Sequence, residues 1–326
     1  MSGPAQDVIP VAVIFAPTAC GKTALTERLF CHGSLSVLGA QAEIISADSV
    51  AIYKELSVGS AKPGADLRAA LPHHLIDILS YTQRFSVAGF VERADAACAQ
   101  IWGRGNVPVI VGGAGFYIRN FMLGLPSAPE SDSAARGAIQ ARLKEEGAAA
   151  LHRELRSVDA ASAARIHPND AYRICRALEV WHSAGRALST FAPPRALRQG
   201  YAFCAIILTR RREDLYARIC ARTERMFRAG LEEEVAGLVR DGATEAAPGM
   251  RAIGYREFFL PEVRRLPASE RTERLKAVIM RDTKKYAKKQ ITLMRGIPGA
   301  VQFHADSADD IAGHIRRWAQ EHGMHP

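Results

Sequence analysis

The sequence predicts an α/β protein whose core is a parallel sheet with helices on both faces, interrupted by an all-helical insert. Three observations carry that prediction. Apolar, β-branched runs recur, each ending in a glycine-rich or acidic turn and followed by residues at helical spacing, the pattern of strand, turn and crossover helix. The runs are apolar throughout rather than alternating, as strands buried on both faces must be. One long intervening stretch is rich in Ala, Glu and Arg and holds no convincing strand.

The first strand is expected over Val11 to Phe15, before the turn Ala16-Pro17-Thr18-Ala19-Cys20-Gly21-Lys22-Thr23 and a helix begun by Ala24, Leu25 and Leu29. A second, Glu43 to Ser46, runs into Ala-Asp-Ser, and a third, Val107 to Val111, runs into Gly-Gly-Ala-Gly and an aromatic helix start. From Pro126 to the Pro193-Pro194 break the pattern is helical. Tyr201 to Thr209 reads as a strand that resumes the sheet, followed by long amphipathic helices, one of them expected from Glu213 to Arg240. The organisation predicted is a core begun in 10–125, an insert over 126–196 and a core completed by 197–326.

Hydrophobic residues make up 48% of the chain and charged residues 24%, ordinary globular usage. No apolar run approaches the roughly 18 residues of a membrane span. The start, MSGPAQDVIP, lacks the basic and long apolar segments of a secretory signal. Cys20, Cys31, Cys98, Cys175, Cys204 and Cys220 form no C-x-x-C pair, which suits reduced thiols. Together these features predict a cytoplasmic protein with no membrane association, taken as a monomer. The net charge of +9 makes a polyanion a plausible partner.

Residues 16–23 match the P-loop pattern G-x-x-x-x-G-K-[ST] except at the first place, where Ala16 replaces glycine. Loop and first-turn N–H groups form an anion nest, Lys22 adds a point charge, and the Thr23 hydroxyl can hold Mg²⁺. A Cβ at Ala16 is tolerated where that residue need not take positive φ. The predicted core is therefore P-loop NTPase-like. A nucleotide hydrolase or kinase normally has an acid at the end of a neighbouring strand to hold Mg²⁺, and PVIVGG has none. Asp48 lies at a strand's C-terminal edge, where open parallel sheets bind ligands; its competing reading is a helix cap. Asp77 is a second acid, functional or structural. Arg222 shares an apolar stripe with Leu215, Ile219 and Met226, so it needs an anion there, either a carboxylate such as Glu232 or Asp48 or a ligand phosphate. Near the C-terminus Arg281, Lys284, Lys285, Lys288, Lys289 and Arg295 cluster beside an apolar face, with Tyr286 expected among the charges. That helix reads as a phosphate-backbone surface or as a solvated face.

These stretches, with Ile45-Ser46-Ala47-Asp48-Ser49 and Tyr53, Gly59-Ser60-Ala61-Lys62-Pro63, Pro72-His73-His74-Leu75-Ile76-Asp77, Val111-Gly112-Gly113, Ile166-His167-Pro168-Asn169-Asp170, Arg176-Ala177-Leu178-Glu179-Val180, Ile253-Gly254-Tyr255-Arg256 and Lys288-Lys289-Gln290-Ile291, resemble the tRNA dimethylallyltransferases. The resemblance spans most of the chain. It implies a P-loop that holds dimethylallyl diphosphate instead of ATP, with Mg²⁺ as the metal and the insert gripping a tRNA anticodon stem-loop. It also implies transfer of the dimethylallyl group to the exocyclic amine of the adenosine 3′ of the anticodon. On the family pattern Asp48 looks like the general base, and Lys22, Thr23 and Arg222 like diphosphate ligands. The tRNA contacts would come from Asp48, Ser49, Val50, Ala51, Ala114, Arg136, Tyr172, Arg173, Ile174, Cys175, Arg176, Arg251, Ala252, Ile253, Gly254, Tyr255, Arg256, Lys284, Lys285, Lys288 and Lys289. Two positions depart from the family: Ala16 where Gly is usual, and Ala114 where Thr is usual. The rival readings are an ATP-dependent small-molecule or nucleoside kinase on the same loop and an RNA-binding protein with a retired P-loop.

Overall fold

The computed structural model describes residues 8–31, 37–38, 42–129, 133–191 and 193–324. The chain divides into two compact units, one formed by 1–122 with 197–326 and the other by 123–196.

The first unit is built on β1 (Ile9–Phe15), α1 (Lys22–Phe30), β2 (Ala42–Ala47), α2 (Ala65–Ala70), β3 (His73–His74), α3 (Val87–Gly103), β4 (Val107–Gly112) and α4 (Gly115–Leu123). After the second unit it continues with β5 (Tyr201–Thr209), α8 (Arg212–Arg228), α9 (Leu231–Arg240), α10 (Pro261–Arg264), α11 (Ala268–Met294), β6 (Val301–His304) and α12 (Ala308–Glu321). The intervening helices are α5 (Ser133–Val158), α6 (Ala160–Arg165) and α7 (Ala171–Ala184).

The six strands form one sheet in the order β3-β2-β4-β1-β5-β6, every pairing parallel. This is the expected α/β class. Successive residues of β1 point to opposite faces. Ala12 and Ile14 join Leu25 and Leu29 of α1 and Ile311 and Ile315 of α12 on one face. Val11, Val13 and Phe15 join Phe90 and Cys98 of α3 and Ile118 and Phe121 of α4 on the other. The chain leaves β1 for β2 on one side of β4 and later returns to β5 on β1's other side, so the C-terminal end of β1 is the crevice where ligands bind in open α/β sheets. A third cluster, with Ile52, Leu56, Met226, Val235, Met250, Tyr255 and Ile279, supports the segments beyond the strand ends.

The single helix expected from Glu213 to Arg240 is two, α8 and α9, because Gly230 takes φ 92 and turns the chain between them. β3 and β6 escape sequence reading because they hold two and four residues, too few to show a period. In the second unit Ile139, Leu151, Leu155, Ile174, Cys175 and Leu178 make a separate core, and α5 bends at Gly147, which takes φ 78. No helix among the described residues is long and apolar enough to cross a membrane.

Candidate active site

The turn from β1 to α1 is shaped by its own backbone. Gly21 takes φ 108 and caps α1 with no side-chain hydrogen bond to the helix N-terminus, so the first-turn N–H groups stay available to an anion. Ala16 is not among the residues at positive φ, which is why a Cβ is accepted where the P-loop pattern has glycine. Ala19 is, at φ 62, a conformation costing an L-residue roughly 1–2 kcal/mol. Lys22 folds back, its Nζ donating to the carbonyls of Ala16 at 3.0 Å and Pro17 at 3.3 Å. Burial lowers its pKa from the ordinary 10.5 to about 8, with the Asp48 carboxylate opposing the shift. On the loop's outer side Arg210 Nε donates to the Cys20 carbonyl at 3.2 Å while its guanidinium pairs with Asp214 and Asp306. Cys20 itself is buried, and burial raises its thiol pKa.

The loop opens into a cavity of about 990 Å³ lined by Thr18, Ala19, Gly21, Lys22 and Thr23, the strand ends of β2 and β4, the segments 48–63 and 248–256, and faces of α8 and α11. Asp48 lies past the end of β2 and lines this cavity. Oδ1 accepts from the backbone N–H of Val50 at 2.8 Å and Ala51 at 3.2 Å, whereas Oδ2 has no hydrogen bond among the described residues on this cavity wall. One oxygen thus caps the turn, as the cap reading of the sequence had it. Ser49 is exposed, and Ala51 and Ala114 are buried cavity-lining residues. The Thr23 hydroxyl and the Asp48 carboxylate are hard oxygen donors of the kind Mg²⁺ takes alongside phosphate oxygens. No set of three His, Cys, Asp or Glu side chains among the described residues forms a metal cage.

The opposite wall is held from a distance. The Glu234 carboxylate on α9 accepts from the backbone N–H of Ser57 (2.9 Å), Val58 (2.8 Å) and Gly59 (3.3 Å) and from the Tyr255 hydroxyl (2.7 Å). A Cβ at Gly59 would meet the Tyr255 ring at 2.5 Å, so the two residues fit only as glycine against aromatic. Gly254 takes φ 101, and Glu257 accepts its N–H at 2.8 Å. The segment fixed in this way presents the Ser60 carbonyl, to which Arg222 donates at 3.0 Å. Arg222 thus has a carbonyl partner and no ion pair among the described residues. The carboxylate expected from sequence is not Glu232, which accepts from Thr272, and Asp48 acts only through its field, opposing the lowering of the Arg222 pKa by burial. Asp77 is structural, paired with Lys62 at 2.6 Å and Arg68 at 2.7 Å.

The cleft brings together the phosphate loop, Asp48 to Ala51, Ala114, Arg222, Arg251, Ala252, Ile253 and Arg256. Gly254 and Tyr255 are buried, so neither offers a surface to RNA; the wall is their task. Arg256 pairs with Glu257 and Asp282. In the second unit Ile174 and Cys175, read as RNA contacts, are core residues at 0% and 1% exposure, because helical spacing turns them inward. Tyr172, 81% exposed, Arg173 and Arg136 are at the surface, and Arg176 donates to the Pro129 carbonyl at 2.7 Å. On α11 Lys285, Lys288 and Lys289 are exposed, and the Lys284 ammonium sits 5.4 Å from the Tyr216 ring. Tyr286 is not among these charges. With Ile279, Thr283 and Gln290 it forms the face of α11 that lines the cleft, and burial raises its pKa to about 12.

Sequence reasoning missed Glu234, Tyr117, Tyr286 and Gln290. Gln290 stood inside the Lys-Lys-Gln-Ile motif, and its uncharged amide next to two lysines was the available signal. Glu234 carries no local signal, since its partners lie far along the chain, and Tyr286 was read with the basic stripe of its helix.

A family model described as IPP transferase matches residues 51–296. A protein named tRNA dimethylallyltransferase from Geobacter sulfurreducens is 37% identical over 319 residues, covering 96% of this chain and 98% of that one. Another of that name from Halorhodospira halophila is 41% identical over 300 residues, covering 91% and 93%. The crystal structure of the full-length tRNA isopentenylpyrophosphate transferase from Bacillus halodurans matches with a TM-score of 0.64 at 30% identity, over 97% of this chain and 100% of that one. A eukaryotic dimethylallyltransferase acting on tRNA, at 23% identity and a TM-score of 0.74, shares the fold.

Proposed function

The chain belongs to the IPP transferase family, and from that premise we propose that it moves the dimethylallyl group of dimethylallyl diphosphate to the exocyclic amine of the adenosine 3′ of a tRNA anticodon. The observation that carries the reading is the pairing, in one cleft, of an uncapped helix N-terminus beside Lys22 with a carboxylate that keeps one oxygen unbonded. The first is suited to a diphosphate, the second to a proton.

In the reaction the bond between the allylic carbon and the diphosphate oxygen breaks, and a bond from the adenine exocyclic nitrogen to that carbon forms. Asp48 Oδ2 takes the proton that the amine must lose, and diphosphate leaves with the bonding electron pair. Lys22, Arg222 and the N–H groups of the loop stabilise the charge growing on the departing oxygens. The Thr23 hydroxyl would hold Mg²⁺, which when bound would supply further charge neutralisation. The purine must leave its stack to enter the cleft, and the aromatic residues Tyr117 and Tyr286 line the cavity that receives it. Lys284, Lys285, Lys288 and Lys289 on α11, and Tyr172, Arg173 and Arg136 on the second unit, are offered as contacts to the anticodon stem-loop. The enzyme acts in this reading as a cytoplasmic monomer.

An ATP-dependent kinase would use the same loop, but β4 ends at Gly112 and runs into Gly113 with no acid to hold the nucleotide's metal, and the relatives are transferases. The deciding measurement supplies radiolabelled dimethylallyl diphosphate or γ-labelled ATP to tRNA lacking the modification. Label is expected in the tRNA from the first donor alone. Label transferred from ATP, with none from the prenyl donor, would sink the reading.

A further inference from the structure

Gln290 is a glutamine on a helix whose neighbouring positions are lysines, yet it is only 4% exposed. Both ends of its amide are used on backbone from different parts of the fold. Oε1 accepts the N–H of Thr18 in the phosphate loop at 3.0 Å, and Nε2 donates to the carbonyl of Gly113, past the end of β4, at 2.6 Å. Gly113 is glycine for this reason: a Cβ there would stand 2.5 Å from Gln290 Nε2. A primary amide accepts on one side and donates on the other whatever the pH.

The consequence concerns the loop. The Thr18 N–H is taken up by Gln290, and this bond sets the orientation of the Pro17–Thr18 peptide, one residue before Ala19, which is at positive φ. Arg210 fixes the Cys20 carbonyl on the outer side, so the strained turn is held at both ends, by α11 inside the cleft and by the end of β5 outside. We propose that Gln290 is the positioning residue that keeps the phosphate loop and the Gly112-Gly113 turn in register, and so sets the donor's diphosphate against Asp48. The proposal rests on the functional reading above. Gln290 does not contact the reacting atoms; it acts through Thr18, Ala19 and Gly113.

Two variants test it. Gln290→Ala removes both bonds, and Gln290→Glu keeps the acceptor for Thr18 but can donate to Gly113 only when protonated. Michaelis constants for dimethylallyl diphosphate and for tRNA, kcat, and direct calorimetric binding of inorganic diphosphate are measured for each, with Lys22→Ala as the control that loses a ligand. In Gln290→Ala the donor KM and the dissociation constant for inorganic diphosphate are expected to rise about tenfold or more, as for a misplaced group, while the tRNA KM stays within about twofold. In Gln290→Glu the excess of the donor KM over wild type at the same pH is expected to shrink as pH falls and the carboxyl gains its proton. Unchanged donor KM and diphosphate affinity in both variants overturns the proposal, as does an equal loss for donor and tRNA, the mark of a general packing defect. Diphosphate binding needs no prenyl chemistry. If wild type binds it, Gln290→Ala does not and neither transfers prenyl groups, the positioning role stands and the functional reading falls.

Discussion

The two walls of the cleft are made differently. The phosphate-loop wall is local: a strand, eight residues of turn and a helix start lie in one continuous segment, and Lys22 bonds to carbonyls five and six residues before it. The opposite wall is assembled from pieces that meet only in the fold, with Glu234 holding residues 57–59 across more than 170 positions and Arg222 reaching Ser60 across 162. A local wall depends mainly on its own backbone geometry, braced from outside at two points, Thr18 by Gln290 and Cys20 by Arg210. An assembled wall transmits any loss in its supports to the ligand groups it carries, so the two should respond to mutation in different ways.

The largest effects are expected on the local wall, where groups touch the donor or the reacting amine. Lys22→Ala should lower kcat/KM for prenyl transfer by about 10³, the scale of losing one charged contact to developing negative charge. Its melting temperature should hardly change, because the turn closes on backbone bonds; a large loss of stability with little loss of transfer would mean that Lys22 is only a brace. Asp48→Asn should slow single turnover by about 10² with donor and tRNA affinities retained, since basicity is lost while Asn caps the turn nearly as well. Wild-type single-turnover rates in a stable Asp48→Asn protein would place the base elsewhere.

A middle-sized effect comes from pH. Lys22 in the free protein titrates near pH 8, and an anionic donor binds its protonated form. The kcat/KM for the donor should therefore be level below about pH 8 and fall by up to about tenfold per unit above it, as for any essential acid of the free enzyme. Stability has the opposite sign. Lys22's folded pKa lies below its unfolded one, so between about 8 and 10.5 the unfolded chain holds more protons, and this group's contribution favours the fold as pH rises. Lys22→Arg, which does not titrate in this range, should remove both trends. A variant that keeps the same pH profile would assign it to another group.

How much was legible follows the same division. The strands bordering the cleft and the eight-residue turn were readable because strand period, glycine placement and the Gly-Lys-Thr triplet lie within a few residues of one another. Asp48 could be placed by its position after a strand. Arg222 could be recognised as a buried cation, but not its partner, since a backbone carbonyl at Ser60 leaves no mark on composition. Glu234 looked like one more acid in the first turn of a helix, although it holds four donors. Tyr286 was misassigned because the basic stripe and the cleft face of α11 share the same few turns, and only packing separates them. Tyr255 lay inside a motif, and Ile174 and Cys175 between two motifs, whose side chains serve the interior, so the motifs identified the family without saying which residues face a partner.

The smallest effect expected is also the most direct test of the assembled wall. Tyr255→Phe removes only the phenol oxygen that donates to Glu234 at 2.7 Å and keeps the ring against Gly59. One hydrogen bond to a carboxylate that retains its three backbone donors should cost about 1–2 kcal/mol of stability, readable from denaturant midpoints at unchanged m-value. The functional signature is narrower. Because residues 57–60 carry the Ser60 carbonyl that orients Arg222, the donor KM should rise a few-fold while tRNA affinity and its salt dependence stay put. In a double variant with Arg222→Ala that donor effect should vanish, the non-additivity expected of residues acting along one chain of contacts. If Tyr255→Phe and Arg222→Ala instead add independently in the donor KM, the far wall does not deliver Arg222 to the donor, and Tyr255 matters for stability alone.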